Sequence, residues 1–123
     1  MTDERKATGR TGEALAAAHL QAAGWRIHAT NWRCALGEID IVAHDGETLV
    51  IVEVRTRHGD RFGSAAESVG WSKQRKLARL AEVYVQSSGW PGAWRIDVVA
   101  ITLDHGDRVL QVEHFENAVH DVG

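Results

Sequence analysis

The stretch GEIDIVAHDGETLVIVEVRTR, residues 37–57, decides the fold that we expect for this chain. Its two halves are rich in β-branched residues, and the dipeptide Asp45-Gly46 between them is the strongest short signal for a β-hairpin. Two acids interrupt the apolar strands: Asp40 stands between two isoleucines, and Glu53 follows the run LVIV. A buried carboxylate is costly unless it binds a cation, pairs with a base or holds a proton. Both acids therefore need a partner in the folded protein.

The register predicted for this hairpin brings the acids together. A two-residue turn at positions 45 and 46 would place Glu38 opposite Glu53, with Asp40 diagonal to Glu53. Diagonal neighbours lie roughly 7–8 Å apart, so the two acids could share one small ion. A four-residue turn preserves this facing, whereas a three-residue turn would separate the acids. Alternation puts four charged side chains on one face of the sheet: Glu38, Asp40, Glu53 and Arg55.

Acids that converge at the end of a hydrophobic strand, beside the cation of Arg55, indicate a site for a hard divalent ion. Mg²⁺ prefers a few carboxylate oxygens, together with water and substrate phosphate, to a closed protein cage. Such an ion can polarise a phosphoryl oxygen and supply hydroxide. The alternative is a salt-bridged hairpin in which Arg55 and Arg57 neutralise the acids, because ion-pair networks also gather carboxylates. The spacing alone leaves both interpretations open.

Length, composition and charge are those of a small globular domain. With 123 residues we expect one core and a single domain over residues 1–123. No apolar run approaches the ~20 residues that span a bilayer, and the first residues do not resemble a signal peptide. The lone Cys34 excludes an internal disulfide. We therefore expect a cytoplasmic protein with no membrane partner, although a net charge of −3 counts against a simple polyanion binder.

Hydrophobic periodicity predicts the element order αβββαβ with one further strand. Gly24 suits the end of the first helix, and Ser72 can cap the second. Periodicity by itself supports either an α/β or an α+β domain. The predicted elements are a helix over 11–23, strands over 25–32 and in both halves of the hairpin, a helical turn near 65–69, a helix from 72 to about 86, and strands over 94–103 and 108–115.

The second helix carries a basic cluster on the face opposite its apolar stripe. Basic residues in that position usually form a solvated face. The alternative is a rim that contacts phosphates, whose binding would fall steeply with salt. The cluster is Lys73, Arg75, Lys76 and Arg79, and the stripe, at i, i+3, i+4 and i+7, is Leu77, Leu80, Ala81 and Tyr84.

Asp40, a hairpin turn and then Glu53-Val54-Arg55 resemble the PD-(D/E)xK signature of restriction-endonuclease-like nucleases, with arginine at the final lysine position. Over nearly its whole length the chain resembles the YraN-like family of small bacterial proteins. The resemblance implies a restriction-endonuclease-like αβββαβ core, with a mixed central sheet flanked by helices. The matching segments are GE (12–13), NWRC (31–34), GEIDIV (37–42), VEVRTR (52–57), KQRKL (73–77), RIDVV (95–99) and EHF (113–115).

The resemblance also implies an activity: metal-dependent endonucleolytic cleavage of branched or structured DNA, similar to that of Holliday-junction resolvases. In resolvase-like relatives a glutamate of the first helix reaches the metal pocket, and Glu13 matches that position. By its own position Glu13 would be a first-turn glutamate that the helix dipole favours. A homodimer would supply two active sites for two strands. The implied ligands of Mg²⁺ (or Mn²⁺) are Asp40, Glu53 and Glu13, and the implied nucleic-acid contacts are Lys73, Gln74, Arg75, Lys76 and Arg57.

Arg55 departs from the nuclease pattern. Arginine stays protonated, so it cannot act as the base that a lysine could become. It can still bind a phosphoryl group through two parallel hydrogen bonds. Two functions therefore stay open. One is an endonuclease with altered catalysis, and the other is a non-catalytic nucleic-acid-binding or assembly module that retains the fold. In the first, the catalytic residues are Asp40, Glu53, Arg55 and Glu13.

Overall fold

A computed structural model describes the backbone of residues 4–59 and 71–119 and the side chains of residues 11–59 and 73–119. The helical turn expected near 65–69 lies outside these residues. The predicted order αβββαβ with one further strand is confirmed. The elements are α1 (Glu4–Ala22), β1 (Arg26–Cys34), β2 (Gly37–Asp45), β3 (Thr48–His58), α2 (Trp71–Ser88), β4 (Trp94–Leu103) and β5 (Val109–Phe115).

The five strands form one mixed sheet in the order β1-β2-β3-β4-β5. Only β3 and β4 run parallel, and the crossover between them carries α2. Alternate residues of β3 enter two apolar clusters, one with Leu20 of α1 and the other with Leu80 of α2. Because successive side chains of a strand point to opposite faces, the two helices cover opposite faces of the sheet. The mixed α/β fold that the sequence predicts is confirmed, and it is compatible with a restriction-endonuclease-like core.

The first helix is longer than the sequence predicts. It begins at Glu4 instead of residue 11, so Glu13 lies in its middle and not in its first turn. The dipole effect is confined to the terminal turns, and it therefore does not account for Glu13. The predicted end is confirmed: Gly24 has φ 92°, and the amide of Trp25 donates to the carbonyl of Leu20 at 3.0 Å, as in a Schellman motif. Among the described residues, no helix is long and apolar enough to cross a membrane.

The second helix begins at Trp71, so Ser72 lies inside its first turn and not at the cap position. Its predicted apolar stripe is confirmed, because all four side chains are buried. The four basic side chains of the predicted cluster, from Lys73 to Arg79, are exposed, but Lys73 stands four residues before Leu77 and so lies beside the stripe and not opposite it. This orientation keeps the cations of α2 at the surface while the helix stays anchored to the sheet.

The turn of the β2–β3 hairpin differs from the predicted one. Asp45 pairs with Thr48 in the ladder, so Gly46 and Glu47 form the turn. Gly46 has φ 60°, which a glycine adopts readily, while the carboxylate of Asp45 accepts a hydrogen bond from Arg95 at 3.1 Å within the strand. The register therefore shifts by two residues. A shift of two keeps every side chain on its own face, and the predicted convergence of the acids survives.

The β2–β3 ladder ends just before the two acids. Its last pair is Ile41 with Val52, and the same register continued would set Asp40 opposite Glu53. Beyond that point the amide of Val54 donates to Oδ2 of Asp40 at 2.8 Å. A carboxylate has thus replaced a strand carbonyl as the acceptor for a backbone N–H. The hairpin opens at the position of the acids.

A buried charge network centres on Asp97 of β4, which is fully buried. Nε of Arg95 donates to Asp97 Oδ1 at 3.0 Å, and Nε2 of His114 lies 2.8 Å from Oδ2. The amide of Asn117 donates to Oδ1 at 2.8 Å, and the Arg95 guanidinium lies 5.3 Å from the ring centre of Trp25. Every oxygen of Asp97 is therefore satisfied. The network holds β5 and the residues after it against β4. Asp97 therefore has a structural role.

Candidate metal centre and basic cleft

Four carboxylates converge on one cavity of about 290 Å³. Glu13 comes from α1, Glu38 and Asp40 from β2, and Glu53 from β3. One oxygen from each of Glu13, Glu38 and Asp40 lies within 4.8 Å of the others. A set made only of oxygens suits a hard divalent cation such as Mg²⁺. The remaining wall is formed by α2, through Lys73, Lys76, Leu77 and Leu80.

Asp40 is the most perturbed carboxyl group of this cavity. Burial raises the pKa of Asp40 from 3.8 to about 8, and a hydrogen bond with Glu53 and the charge of that neighbour add to the rise. The amide of Val54 opposes the rise, while the charge of Glu13 adds a smaller increment. At neutral pH Asp40 therefore retains its proton. A cation bound by Asp40 would have to displace that proton.

One oxygen of Glu53 is available to a ligand. Oε2 of Glu53 is buried and accepts no hydrogen bond from the described residues. Nζ of Lys73 lies 3.4 Å from it, within ion-pair distance but without hydrogen-bond geometry. A buried polar atom is costly when it lacks a hydrogen-bond partner, so its presence here favours a bound partner. The residues present therefore fit a divalent cation.

Asn31 of β1 holds two of the acids in place. Its Nδ2 donates to Glu13 at 2.8 Å and to Glu38 at 2.7 Å. Asn31 has φ 53°, a conformation that asparagine tolerates better than most residues. Next to it, Nε of Arg33 donates to Glu38 at 3.2 Å. The amide of Asn31 can therefore keep two carboxylates close without an ion between them.

Strand β2 is irregular at the same level. Ile39 packs in the α2 cluster and Ile41 in the α1 cluster, although strict alternation would put both on one face. Asp40 lies between them, and Asn31 lies between the neighbouring β1–β2 pairs Thr30–Ile41 and Trp32–Ile39. The strands rotate locally near Asn31 and Asp40. This rotation brings the acids of β2 to the cavity that residues of α1 and α2 also line.

Arg55 and the side chains predicted to contact nucleic acid lie in different places. Lys73 and Lys76 line the carboxylate cavity, whereas Arg55, Arg57 and Gln74 line neither this cavity nor the neighbouring cleft. Arg55 is half-buried on β3 opposite Ala100 of β4, and Nε of Arg57 is buried without a hydrogen-bond partner among the described residues. The structure therefore places a lysine of α2 beside Glu53.

A second cleft of about 320 Å³ lies beside the carboxylate cavity. We call it the basic cleft, and its lining residues are Leu36, Arg75, Lys76 and Arg79. Lys76 also lines the carboxylate cavity, so the two spaces share a wall. Negative and positive surfaces thus meet at one end of α2.

Two polar residues at the site were not among the site residues that the sequence predicts: Glu38, which lines the cavity, and Asn31, which donates to two of its acids. Glu38 lies two positions before Asp40, so the predicted strand alternation already placed both side chains on the same face of the sheet. Asn31 belongs to the matching segment NWRC, but nothing in its spacing shows that it would join Glu13 to Glu38. Its role depends on the pairing of β1 with β2 and on the docking of α1.

Fold and site define the class of this protein: a mixed α/β protein with a carboxylate cluster where an open β-hairpin meets two helices. Residues 12–101, which include every residue that lines the cavity and the cleft, match the model of a family described as "Uncharacterised protein family UPF0102". The chain belongs to this family. The match confirms the resemblance to YraN-like proteins.

Individual relatives cover almost the whole chain. A UPF0102 protein of Herpetosiphon aurantiacus is 50% identical over 121 residues, which are 94% of this chain and 96% of the relative. One from Moorella thermoacetica is 50% identical over 119 residues, 96% of this chain and 99% of the relative. One from Pelotomaculum thermopropionicum is 46% identical over the same share of both chains. Their names state the family and no activity.

Proposed function

We propose that this protein is a metal-dependent endonuclease that hydrolyses phosphodiester bonds in branched or otherwise structured DNA. The observation that carries the proposal is the convergence of four carboxylates in one cavity, with exposed cations of α2 at its edge. Carboxylates attract a divalent ion, and the cations attract the phosphates of a nucleic acid. As in resolvases, a homodimer would present two such cavities to two strands.

Asp40, Glu13 and Glu38 would hold Mg²⁺ or Mn²⁺, with Glu53 as a further oxygen donor to the same cavity. When bound, such an ion stabilises negative charge on a phosphate and makes a nearby water more acidic. Asp40 gives up its proton as the ion binds, because a ligating carboxylate must be ionised. Asn31 orients Glu13 and Glu38 through its two hydrogen bonds.

In this proposal Lys73 has the role beside the carboxylates that the sequence led us to expect for Arg55. Its ammonium lies 3.4 Å from Glu53, and its three N–H donors can also bind a phosphate oxygen in the cavity. In this role Lys73 stabilises the charge that builds up on the phosphate during hydrolysis. Arg55 then contributes to the strand and not to the bond-breaking step.

Cleavage assays with the intact protein test this proposal. We expect Mg²⁺- or Mn²⁺-dependent cleavage of junction or flap DNA by the wild type, and none by the Asp40→Asn variant. Glu82→Gln is a matched control, since Glu82 is an exposed acid on α2 that does not line the carboxylate cavity, and this variant should cleave like the wild type. Equal nicking by wild type and Asp40→Asn would indicate a contaminating nuclease and contradict the proposal.

Lys73→Met should lower the cleavage rate by roughly 100-fold, because it removes a preorganised positive charge from the cavity. Lys73→Arg should retain most of the rate, since it keeps the charge. Arg26→Gln serves as the control, because it removes an exposed cation that lines neither the carboxylate cavity nor the basic cleft. Single-turnover kinetics at saturating Mg²⁺ measure the effect. If the cleavage rate falls less in Lys73→Met than in an Arg55→Met variant, Arg55 and not Lys73 stabilises the charge on the phosphate.

A non-catalytic nucleic-acid-binding or assembly module is the second candidate. Arg55 favours it, because arginine cannot accept a proton as a lysine can. The exposed cations of the basic cleft would serve such a module equally well. DNA binding that weakens with salt, without cleavage of any substrate in Mg²⁺ or Mn²⁺, would select this candidate.

A further inference from the structure

We infer that the basic cleft is a subsite for an unpaired nucleotide next to the phosphate in the carboxylate cavity. In this subsite the cations of α2 bind backbone phosphates, and Leu36 lies against the unstacked base. The inference rests on the proposed function for the identity of the ligand as DNA. It adds a substrate preference, because a fully paired duplex has no free base for Leu36 to contact.

Leu36 is presented at the tip of a tight turn. Cys34 pairs with Gly37 in the β1–β2 ladder, which leaves only Ala35 and Leu36 in the turn between the strands. The side chain of Leu36 is 45% exposed, and it lines the cleft together with three cations. Apolar side chains at such positions insert between base steps or cover unstacked bases in protein–DNA complexes. A leucine held by two flanking strands is suited to that contact.

Within the part of the chain that the structure describes, the cations of the cleft lack acidic partners. Arg75, Lys76 and Arg79 are exposed, and none of them forms an ion pair with a residue in 11–59 or 73–119. Arg75 and Arg79 stand four residues apart on α2, where two like charges destabilise a helix slightly. A bound phosphate would relieve this repulsion. The charge of the cleft is therefore complementary to a nucleic-acid backbone and opposite to that of the carboxylate cavity.

Lys76 connects the two sites. Its side chain runs over the β1–β2 turn: a Cβ added to Gly37 would lie 3.2 Å from Cε of Lys76. Lys76 also lines both the carboxylate cavity and the basic cleft. A strand whose phosphate lies among the carboxylates would continue past Lys76 towards Leu36. The cleft is thus placed for the nucleotide that neighbours the cleaved bond.

Binding of fluorescently labelled DNA to the full-length protein in EDTA, at 50 to 200 mM KCl, tests the inference. Leu36→Ala should weaken binding to a fork with an unpaired arm by about fivefold to tenfold, with little change for a fully paired duplex. Leu110→Ala is the matched control, because Leu110 is 57% exposed on β5. Arg75→Gln and Arg79→Gln should each lower the slope of log K against log salt by about 0.7, whereas Arg26→Gln should not.

The outcomes separate this inference from the proposed function. A fork preference that depends on Leu36, in a protein that never cleaves, would support the subsite and overturn the endonuclease. Cleavage without any effect of the Leu36, Arg75 and Arg79 variants would support the endonuclease and overturn the subsite. Equal losses on fork and duplex in Leu36→Ala would overturn the role of the leucine. All three side chains are exposed, so their variants should fold as the wild type does.

Discussion

Replacing Asp40 with asparagine is expected to abolish Mn²⁺ binding, as measured by isothermal titration calorimetry. Asparagine has about the same shape and can still accept a hydrogen bond from Val54, but it brings no negative charge to the ion. Binding to the wild type near pH 7 should release about one proton, because Asp40 with a pKa of about 8 is mostly protonated before the ion arrives. Titrations in buffers of different ionisation enthalpy measure that proton. Wild-type affinity in Asp40→Asn would rule out this metal site.

The same substitution should stabilise the metal-free protein, and increasingly so as pH rises. The folded-state pKa of Asp40, about 8, lies above its unfolded value of 3.8, so the folded protein binds more protons between these limits. The contribution of Asp40 to the free energy of unfolding must therefore fall as pH rises from about 4 to about 8. Asparagine is neutral over this whole pH range, so the free energy of unfolding of the variant does not fall for this reason.

Melting temperatures in EDTA at pH 5 and pH 8 measure the effect. The gain of Asp40→Asn over wild type should be larger at pH 8 than at pH 5 by at least about 3 °C, or about 1 kcal/mol. Glu82→Gln, at an exposed acid, should show the same difference from wild type at both pH values. An equal gain for Asp40→Asn at both pH values would contradict the raised pKa. Lower stability at pH 8 would mean that the carboxylate of Asp40 is needed for the fold.

Asp97→Ala should lower the free energy of unfolding by about 3–5 kcal/mol, because it removes the fully buried centre of the network and leaves the half-buried guanidinium of Arg95 without its main partner. It also removes the acceptor for the amide of Asn117. Urea denaturation followed by tryptophan fluorescence measures the loss. Glu116→Gln is the control: Glu116 lies 3.9 Å from the same arginine but is 65% exposed, so its loss should be below about 0.5 kcal/mol. Comparable effects of the two substitutions would show that the network is not the source of stability.

Much of the fold could be predicted because the signals are local. The hairpin acids, the stripe of α2 and the glycine that ends α1 are each decided by neighbours within a few residues. The start of α1 could not be predicted, because residues 4–10 carry no clear cap and the helix simply continues through them. The turn of the hairpin was assigned one position too early. An ion pair between Asp45 and Arg95, 50 residues apart, keeps Asp45 in the strand.

The site was predictable only in part, for the same reason. Asp40, Glu53 and Glu38 lie on one hairpin, so alternation could bring them together, whereas Glu13 was expected through a family resemblance alone. The position of Lys73 beside Glu53 depends on how α2 docks after the crossover. Arg55 was expected at the site because it follows Glu53 by two residues in the sequence. Docking of a distant helix is not visible in any local pattern, and it decides which cation enters the cavity.

The hydrogen bond from the Val54 amide to Asp40 makes the Asp40 carboxyl a component of the scaffold. Its position is set by the main chain of a central strand, whose other neighbour is the parallel strand β4. The β1–β2 turn and the exposed side of α2 carry the residues that would choose a ligand, and they can change without moving that carboxyl. In such an arrangement the surface that selects the ligand could vary while the proposed metal site keeps its position.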